Sequence, residues 1–489
     1  MSVFSAVFQF CVQNTYCLLA ASAALYGALL HSNYRRLKAF RGPWAAKFTD
    51  LWLAKAALGD SQHAVLADVC EKYGSIACIG PNTLVTNSPE LWMRMSAARS
   101  PYTKGDWYAG LRLPPGRDNI FSQQDEEIHT KRRAQMADGY AGKTNPTLEP
   151  TISRHVQNLI DLLRRKYISS DKVFKPVDMG RKASFFTMDV ITDVAFGQPF
   201  QNLTDDHDTF SYIQNTEDMI PTILRMATIP ALRALFQSKF GALLFPSDKS
   251  EKGVGKLMGV AKQLASKRFA AKDTDVRQDM LSSFISRGLT EDDVMIESVL
   301  QILAGADTTA TAIRSILLHT MTNPHVYRTL QKEIDTAVEE GRATRSGVIK
   351  DFDAKELPYL QAVIKEGLRI WPPVTGMLSK LSPPEGDNFT LASGEEVHIP
   401  GRLETGGTKD EVKRFAMMEK LSELIFGYGK YQCLGKNVAS LELNKAIFEL
   451  FRCFDFQIVS PTKPWRSTNV GLWLQSEMWV RVTERVANN

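Results

Sequence analysis

The pattern of apolar and polar positions predicts a mainly helical protein with a small β-sheet region. Beyond residue 150, apolar residues recur at helical spacing in segments separated by short loops. The predicted helices lie near 151–166, 185–195, 255–269, 280–287, 291–322, 325–340 and 358–370. Earlier, "IACIGPNTLVTN" resembles two short strands broken by Gly80 and Pro81. No repeat or Gly/Ser linker divides the chain, which favours one large domain.

The N-terminal 34 residues follow another pattern. Residues 4–30 carry no charge, and Thr15 to Leu30 are almost wholly apolar, close to the roughly 20 residues that cross a bilayer. Four basic residues follow, and such a cluster favours the cytosolic side: Arg35, Arg36, Lys38 and Arg41. The charges come after the apolar run, which is atypical of a cleaved signal peptide. We expect 1–34 to be a retained transmembrane anchor and 35–489 to be a cytosolic domain.

A second apolar stretch, Met219 to Ser247, contains no acidic residue. A helical segment of this composition is typical of one that rests on a membrane surface. A buried pair of helices explains the same pattern, and the sequence leaves both interpretations open.

Composition excludes several classes of protein. Of 489 residues, 44% are hydrophobic and 23% charged, which is typical of a globular protein with a large core. Six cysteines without a CxxC pair do not indicate a secreted disulfide scaffold. The eight histidines lack metal-ligand spacing. A net charge of +5 without basic clusters predicts no nucleic-acid partner.

The first chemical motif lies inside a long predicted helix that begins after Thr290. Its middle, "AGADTTAT" at 304–311, contains Gly305 and several poor helix formers where packing should be tight. A missing side chain at Gly305 would let a flat ligand approach, and Asp307 beside Thr308 is suited to relay protons. A polar turn where two helices cross would show the same composition.

Two further motifs follow. In "KEGLRI", Glu366 and Arg369 lie three residues apart on one helix face and can form an ion pair. In "FGYGKYQCLG", glycines surround Cys433 just before an amphipathic helix, where the helix dipole stabilises a thiolate. Such a thiolate is a nucleophile or a metal ligand. As a ligand of haem iron it requires a second wall for the macrocycle, which the "AGADTT" helix would supply.

These motifs, in this order, resemble the cytochrome P-450 superfamily of haem-thiolate monooxygenases. "FGYGKYQCLGKNVA", "FTMDVITDVAFGQPF" and "SPYTKGDWYAG" are most similar to the fungal pisatin-demethylase-like subgroup, whose members serve specialised (secondary) metabolism. The resemblance covers nearly the whole chain. It implies the cytochrome P-450 fold, mainly α with a small β-sheet region, preceded by one N-terminal transmembrane helix.

The resemblance also implies roles for individual residues. Cys433 would be the axial ligand of haem b, and Asp307 and Thr308 would deliver protons during oxygen activation. Glu366 and Arg369 would form a buried structural pair. The remaining residues would bind the cofactor, the first two at a propionate and the others in the cysteine loop: His129, Arg133, Phe426, Gly429 and Gly435.

Partners follow from the same resemblance. An NADPH-dependent flavoprotein reductase would dock near Lys430 and Lys436, and the enzyme would lie in the endoplasmic reticulum membrane. The substrate would be a lipophilic small molecule. Its specificity would depend on residues 101–122, 210–245 and 373–378.

The chain departs from the family pattern in two places. Tyr431 stands where members usually carry a basic residue that contacts a propionate, and whether Lys430 replaces it is open. Near 401–402 a strand and a loop with a Pro-Glu-Arg-aromatic element are not visible in the sequence, as though roughly 30 residues were absent. Arg402 is the candidate remnant of that arginine. Without its partners the buried pair of Glu366 and Arg369 would be incompletely neutralised.

Three functions therefore remain open at this point. The leading one is a membrane-anchored monooxygenase that uses O2 and reductase electrons. A haem-thiolate isomerase or dehydratase would need neither, although the intact "ADTT" favours proton delivery and the first function. The third is an inactive or mis-spliced protein that lost activity with the missing segment.

Overall fold

The computed structural model describes residues 15–142, 145–250, 253–270, 279–407 and 424–485. Within them, helices make up most of the structure, as the sequence predicts. They are α1 Thr15–Leu37, α2 Leu51–Leu58, α3 Gln62–Tyr73, α4 Pro89–Ser96, α5 Glu126–Ala141, α6 Leu148–Lys166, α7 Met179–Phe196, α8 Asn202–Asp205, α9 Tyr212–Thr228, α10 Pro230–Phe236, α11 Lys239–Leu244, α12 Gly253–Ala270, α13 Met280–Ser286, α14 Glu291–Met321, α15 Pro324–Glu339, α16 Asp351–Lys355, α17 Pro358–Ile370 and α18 Lys436–Cys453. All seven helices predicted from periodicity are present.

Short strands form the sheets of the described ranges. They are β1 Ile76–Gly80, β2 Thr83–Thr86, β3 Thr103–Lys104, β4 Val177–Asp178, β5 Lys380–Leu381, β6 Asp387–Thr390, β7 Glu396–Ile399, β8 Glu404–Gly407, β9 Phe454–Ile458, β10 Arg466–Asn469, β11 Trp473–Ser476 and β12 Trp479–Glu484. The largest sheet has the order β1-β2-β8-β5-β3, with β8 parallel to β2 and antiparallel to β5.

Strand β8 corrects the sequence analysis, which found no strand after residue 402. Glu, Thr and Gly are mediocre or poor strand formers, so the segment gave no local signal. Pairing with a strand on each side supplies the hydrogen bonds that propensity does not. A strand is therefore present after residue 402, and the loop expected to follow it would lie outside the described residues.

Helix α14 is the central element of the core. Thr290 caps its N-terminus in a capping box with Asp293, and the helix ends at Met321, just before Asn323 caps α15. It packs along α7, which is buried along almost its whole length, and also contacts α12, α17 and α18. Because α14 crosses the whole domain, it positions its middle deep inside the protein.

Helix α1 differs from every helix of this core. It is long and apolar enough to cross a membrane, and none of its most apolar window is buried. It continues past Leu30 through Arg35 and Arg36, so the basic cluster belongs to its last turns.

Each of the two interpretations of the stretch from Met219 to Ser247 fits one part of it. Its first part belongs to α9, whose Ile220 and Leu224 are buried. The chain then bends by 112° into α10. In contrast to α9, the following helices expose large apolar side chains to solvent: Leu232, Leu235, Phe240 and Leu243.

Candidate active site

Cys433 lies in a loop immediately before α18. Two 3₁₀ turns, Leu424–Phe426 and Gly429–Tyr431, precede it, and its backbone N–H donates to the carbonyl of Phe426 at 2.7 Å. The residue is exposed. It stands two positions before Gly435, which caps α18. The sequence therefore places the thiol correctly at a helix N-terminus, where the dipole favours the thiolate.

The glycines of this loop serve different purposes. Gly429 has φ +57°, and a Cβ there would lie 2.2 Å from the carbonyl oxygen of Ser96, so only glycine fits. Gly427 has φ +78° and is similarly close to the carbonyl oxygen of Tyr431. Gly435 has an ordinary backbone, and a Cβ there would meet only Sγ of Cys433, at 3.7 Å. Its missing side chain leaves room beside the sulfur.

Gly305 of α14 has a role that the sequence did not show. A Cβ at this position would lie 2.7 Å from Cγ1 of Ile191 on α7. The glycine thus allows two helices to approach closely, and the prediction that it makes room for a flat ligand is wrong. Its neighbour Ala304 is exposed, whereas the residues around it on α14 are buried or half-buried.

Asp307 and Thr308 follow on the same helix. Thr308 donates its hydroxyl to the carbonyl of Ala304 at 2.7 Å, which keeps the side chain against its own helix. Burial raises the pKa of Asp307 to about 6, a shift that Arg314 opposes and Glu217 reinforces. A carboxyl group with such a pKa exchanges protons near neutral pH, as a proton-delivering acid requires.

A cluster of basic side chains surrounds the neutral His129 near the cysteine loop. His129 and Arg133 are on α5, and His129 is buried beside the ring of Tyr431. Burial lowers the pKa of His129 to about 3, assisted by nearby Lys104, Arg133, Lys430 and Lys380. Burial also lowers the pKa of Arg133, and the sulfur of Cys433 opposes that shift. The cluster is therefore within electrostatic reach of the thiol.

Lys104 and Lys380 are the members of this cluster that sequence reasoning missed. Their side chains are almost fully buried, although lysine is rarely buried unless paired. Lys104 belongs to "SPYTKGDWYAG", so the subgroup resemblance was a signal, but nothing local indicated that a distant lysine lies opposite it.

Lys430 has a different role from the one predicted. Its ammonium binds Glu126 at 2.9 Å and the carbonyls of Ser100 and Tyr102 at 3.1 and 2.8 Å, and the side chain is 17% exposed. Because its ammonium is bound in this way, Lys430 does not present a surface charge to a reductase. Lys436 remains partly exposed.

Glu366 and Arg369 form the predicted pair, with two hydrogen bonds of 2.8 and 2.9 Å. The expectation of burial is wrong, because the side chains are 51% and 28% exposed respectively. Among the described residues, His319 also acts on the pKa of Glu366, and Arg402 does not. Arg402 is exposed at the sheet, where Asn82 donates to its carbonyl.

The three segments expected to determine specificity meet in one apolar cluster. Trp107 and Tyr108 come from the first, Ile220 and Leu224 from the second, and Met377 from the third. Leu303, the residue before Ala304, packs against this cluster. It also lines a small open cleft between α9, α12 and α14.

The residues present fit a haem held by Cys433. An exposed thiol at a helix N-terminus is suited to bind iron. Gly435 leaves room beside the sulfur, and a buried cationic cluster within electrostatic reach is suited to two carboxylates. Ala304 offers a small side chain on the helix expected to form the second wall.

Comparison with known proteins shows the family of the chain. The cytochrome P450 family model matches residues 42–399. The chain is 40% identical to cytochrome P450 monooxygenase ABA1 of Pyricularia oryzae over 482 aligned positions, which cover 93% of this chain and 94% of that protein. It is 40% identical to aba1 of Botryotinia fuckeliana over 465 positions, 90% of each chain. Cytochrome P450 monooxygenase abl1 of Leptosphaeria maculans is 34% identical over 484 positions, 92% of this chain and 84% of that protein.

The alignment with the Pyricularia protein has more positions than this chain contributes residues to it. Since 93% of 489 residues is about 455, about 27 of the 482 aligned positions have no counterpart here. The family-model match ends at residue 399, the last residue of β7.

Proposed function

The chain belongs to the cytochrome P450 family of monooxygenases, and we propose that it oxidises a lipophilic small molecule in fungal specialised metabolism. The observation that carries this proposal is the exposed Cys433 thiol beside a buried cluster of cations. The relatives are fungal monooxygenases. Haem bound through Cys433 would supply the activation of dioxygen, with electrons from NADPH through a flavoprotein reductase.

The chain's own residues divide the remaining tasks. His129 and Arg133 would hold the carboxylates of the cofactor, and Phe426 fixes the backbone of Cys433 through its carbonyl. Asp307, with its raised pKa, would hold a proton next to Thr308 on α14. The thiol-bearing loop and α14 together would exclude bulk water from the reacting atoms.

The lipophilic substrate is supported by the apolar cluster that contains Trp107, Tyr108 and Leu303. Apolar walls with few polar groups are typical of sites for small hydrophobic ligands. A substrate against this cluster would lie beside the exposed Ala304.

We place the domain at the cytosolic surface of the endoplasmic reticulum membrane, anchored by α1. The exposed apolar side chains of α10 and α11, among them Leu243 at 81% exposure, would rest in the same bilayer. A fluorophore on Leu243→Cys in the full chain in bilayer nanodiscs should shift to the blue. The same label on Phe352→Cys, a solvent-exposed position of α16, should not. Equal spectra would contradict the placement.

Lys436 and the exposed Lys131 of α5 are the basic residues that we propose for reductase docking. Acidic partners bind such surfaces with a strong dependence on salt. Reversing both charges should slow the first electron transfer, and added salt should slow it in the wild type. An unchanged rate would place the docking surface elsewhere.

The carbon-monoxide difference spectrum of the dithionite-reduced full chain tests the haem-thiolate site. The wild type should show the red-shifted Soret band of thiolate-ligated haem. Cys433→Ser should lose that band, whereas the matched variant Cys453→Ser should keep it. A Cys433→Ser protein with the full band would exclude Cys433 as the ligand. Product formation that needs neither NADPH nor O2 would instead indicate an isomerase or dehydratase.

We also propose that about 27 residues are missing after β8. The half-exposed pair of Glu366 and Arg369, the end of the family match at 399 and the gaps in the alignment support this. Sequencing the transcript tests it. An in-frame insertion between the codons of Gly407 and Leu424 would identify a mis-spliced chain, and an uninterrupted transcript would identify a shortened enzyme.

A further inference from the structure

Glu297 of α14 is a buried carboxyl group that the proposed chemistry does not use. The residue is 0% exposed. Burial raises the pKa of Glu297 to about 7, a shift that Arg132 and the N–H of Ile120 oppose and Asp293 reinforces. Because burying a carboxyl group costs free energy, the groups that bind it deserve a functional explanation.

Glu297 and Arg132 together hold the backbone of the turn at 118–122. Oε1 of Glu297 accepts the N–H of Ile120 at 2.7 Å. Arg132 of α5 donates to the carbonyl of Asp118 at 2.7 Å and to the same Oε1 at 3.2 Å. Hydrogen bonds to charged groups are stronger than those between neutral groups. Two helices therefore fix one backbone donor and one backbone acceptor of the same turn.

The turn places Phe121 in the apolar cluster proposed for the substrate. Oδ1 of Asn119 accepts the N–H groups of Phe121 and Ser122 at 3.0 and 2.8 Å, which stiffens the turn. The ring of Phe121 lies 5.1 Å from the ring of Tyr108 and 6.3 Å from that of Trp107, and its side chain packs against the cluster. A shift of the turn's backbone would therefore move this ring.

We propose that Glu297 and Arg132 are positioning residues for substrate binding, which fix the turn at 118–122 so that Phe121 forms one wall of the apolar site. They act through the backbone of the turn and not on the substrate itself. The inference rests on the proposed function, which places the substrate against this cluster. The affinity for an apolar ligand should then depend on the bond between Glu297 and Ile120.

Hydrogen exchange of the full chain in detergent tests the contact with the turn without turnover. In Glu297→Met, which lacks the acceptor, peptides that cover 118–122 should exchange about 10- to 100-fold faster than in the wild type, because a hydrogen bond to a charged group is lost. Glu297→Gln retains an acceptor oxygen and should restore most of the protection. The matched control is Gln301→Met on the next turn of α14. Gln301 is 2% exposed, and its amide nitrogen lies 3.3 Å from the sulfur of Met280.

Two azoles test whether the bound turn positions the apolar site. Imidazole and 4-phenylimidazole both bind haem iron through nitrogen and shift the Soret band, but only the second carries an apolar ring. The ratio of their dissociation constants therefore cancels a general effect on the haem. Glu297→Met should lower the wild-type preference for 4-phenylimidazole about tenfold, because the ring loses apolar contact. Glu297→Gln should largely keep the preference, and Gln301→Met should not change it.

Circular dichroism establishes that each variant is folded. Arg132→Gln, which weakens the hold on Asp118, should change exchange and preference in the same direction and replaces Glu297→Met if that variant is unfolded. Unchanged exchange at 118–122 in the folded variant would overturn the inference. Faster exchange with an unchanged azole preference would also overturn it, because the contact would then be only structural. Failure of the wild type to bind haem would instead overturn the proposed function, and this inference with it.

Discussion

The cysteine loop and the middle of α14 both carry motif glycines, but for different physical reasons. Gly305 is needed because Ile191 of α7 occupies the space of its side chain. Gly429 is needed because its backbone is left-handed and crowds Ser96, whereas Gly435 only leaves room beside Cys433. The same residue type can therefore serve helix packing at one position and leave open space beside a sulfur at another. The predictions below separate these roles.

Gly429→Ala should have the largest effect. A left-handed alanine costs about 1–2 kcal/mol, and the contact with the carbonyl of Ser96 adds about 1–3 kcal/mol of overpacking. We expect a loss of about 3 kcal/mol in the free energy of unfolding, measured with urea, and loss of most of the carbon-monoxide signal. Gly341→Ala is the control, with φ +73° and open space around it. An equal loss of unfolding free energy in both variants would show that the contact with Ser96 does not contribute to the effect of Gly429→Ala.

Asp307→Asn should reduce product formation about 100-fold, the lower range for loss of a general acid. The thiolate band should keep its intensity, because the substitution preserves shape. Asp292→Asn, on the exposed first turn of the same helix, is the control. If both variants turn over at the wild-type rate, Asp307 is not the proton-delivering acid.

The effect of Asp307→Asn on the free energy of unfolding should depend on pH. Burial raises the folded pKa of Asp307 to about 6, above about 3.9 for the unfolded chain. The folded state therefore binds its proton more tightly. The resulting stability is fully present below pH 4 and is lost as the pH rises toward 6. The wild type minus Asp307→Asn difference in unfolding free energy should fall across this window, and a flat difference would contradict the raised pKa.

Gly305→Ala should destabilise the protein by about 1–3 kcal/mol, the usual range for overpacking. The cause would be its contact with Ile191, so a double-mutant cycle with Ile191→Ala should show coupling of about 1–2 kcal/mol. Unfolding of the cofactor-free proteins provides the four free energies. If the two changes in free energy are additive, the close packing of α14 against α7 does not require glycine at position 305.

Gly435→Ala should lower haem affinity and leave stability almost unchanged, in contrast to Gly305→Ala. Because its Cβ would meet only Sγ at 3.7 Å, the stability of the cofactor-free protein should change by less than about 0.5 kcal/mol. Haem affinity should fall about tenfold, since the methyl group takes space beside the sulfur. Stability loss without loss of haem would assign Gly435 to packing.

Sequence patterns predicted local features well and distant neighbours poorly. Periodicity and capping residues located α14 from Thr290 to its end before Asn323, because those signals lie within the helix itself. The function of Gly305 depends on Ile191 in another helix, and the burial of Lys104 depends on Lys380 in another strand. The motifs identified Glu366 and Arg369, but their exposure depends on which segment covers them.

Glu366→Gln should have a small effect on stability, and it tests the ion pair with Arg369. Half-exposed ion pairs contribute about 1 kcal/mol or less, because water screens them, whereas breaking a buried pair costs about 3–5 kcal/mol. We therefore expect a loss of at most about 1 kcal/mol in urea unfolding, and a similar loss for Arg369→Met. A loss of several kcal/mol would mean that the chain covers the pair in solution.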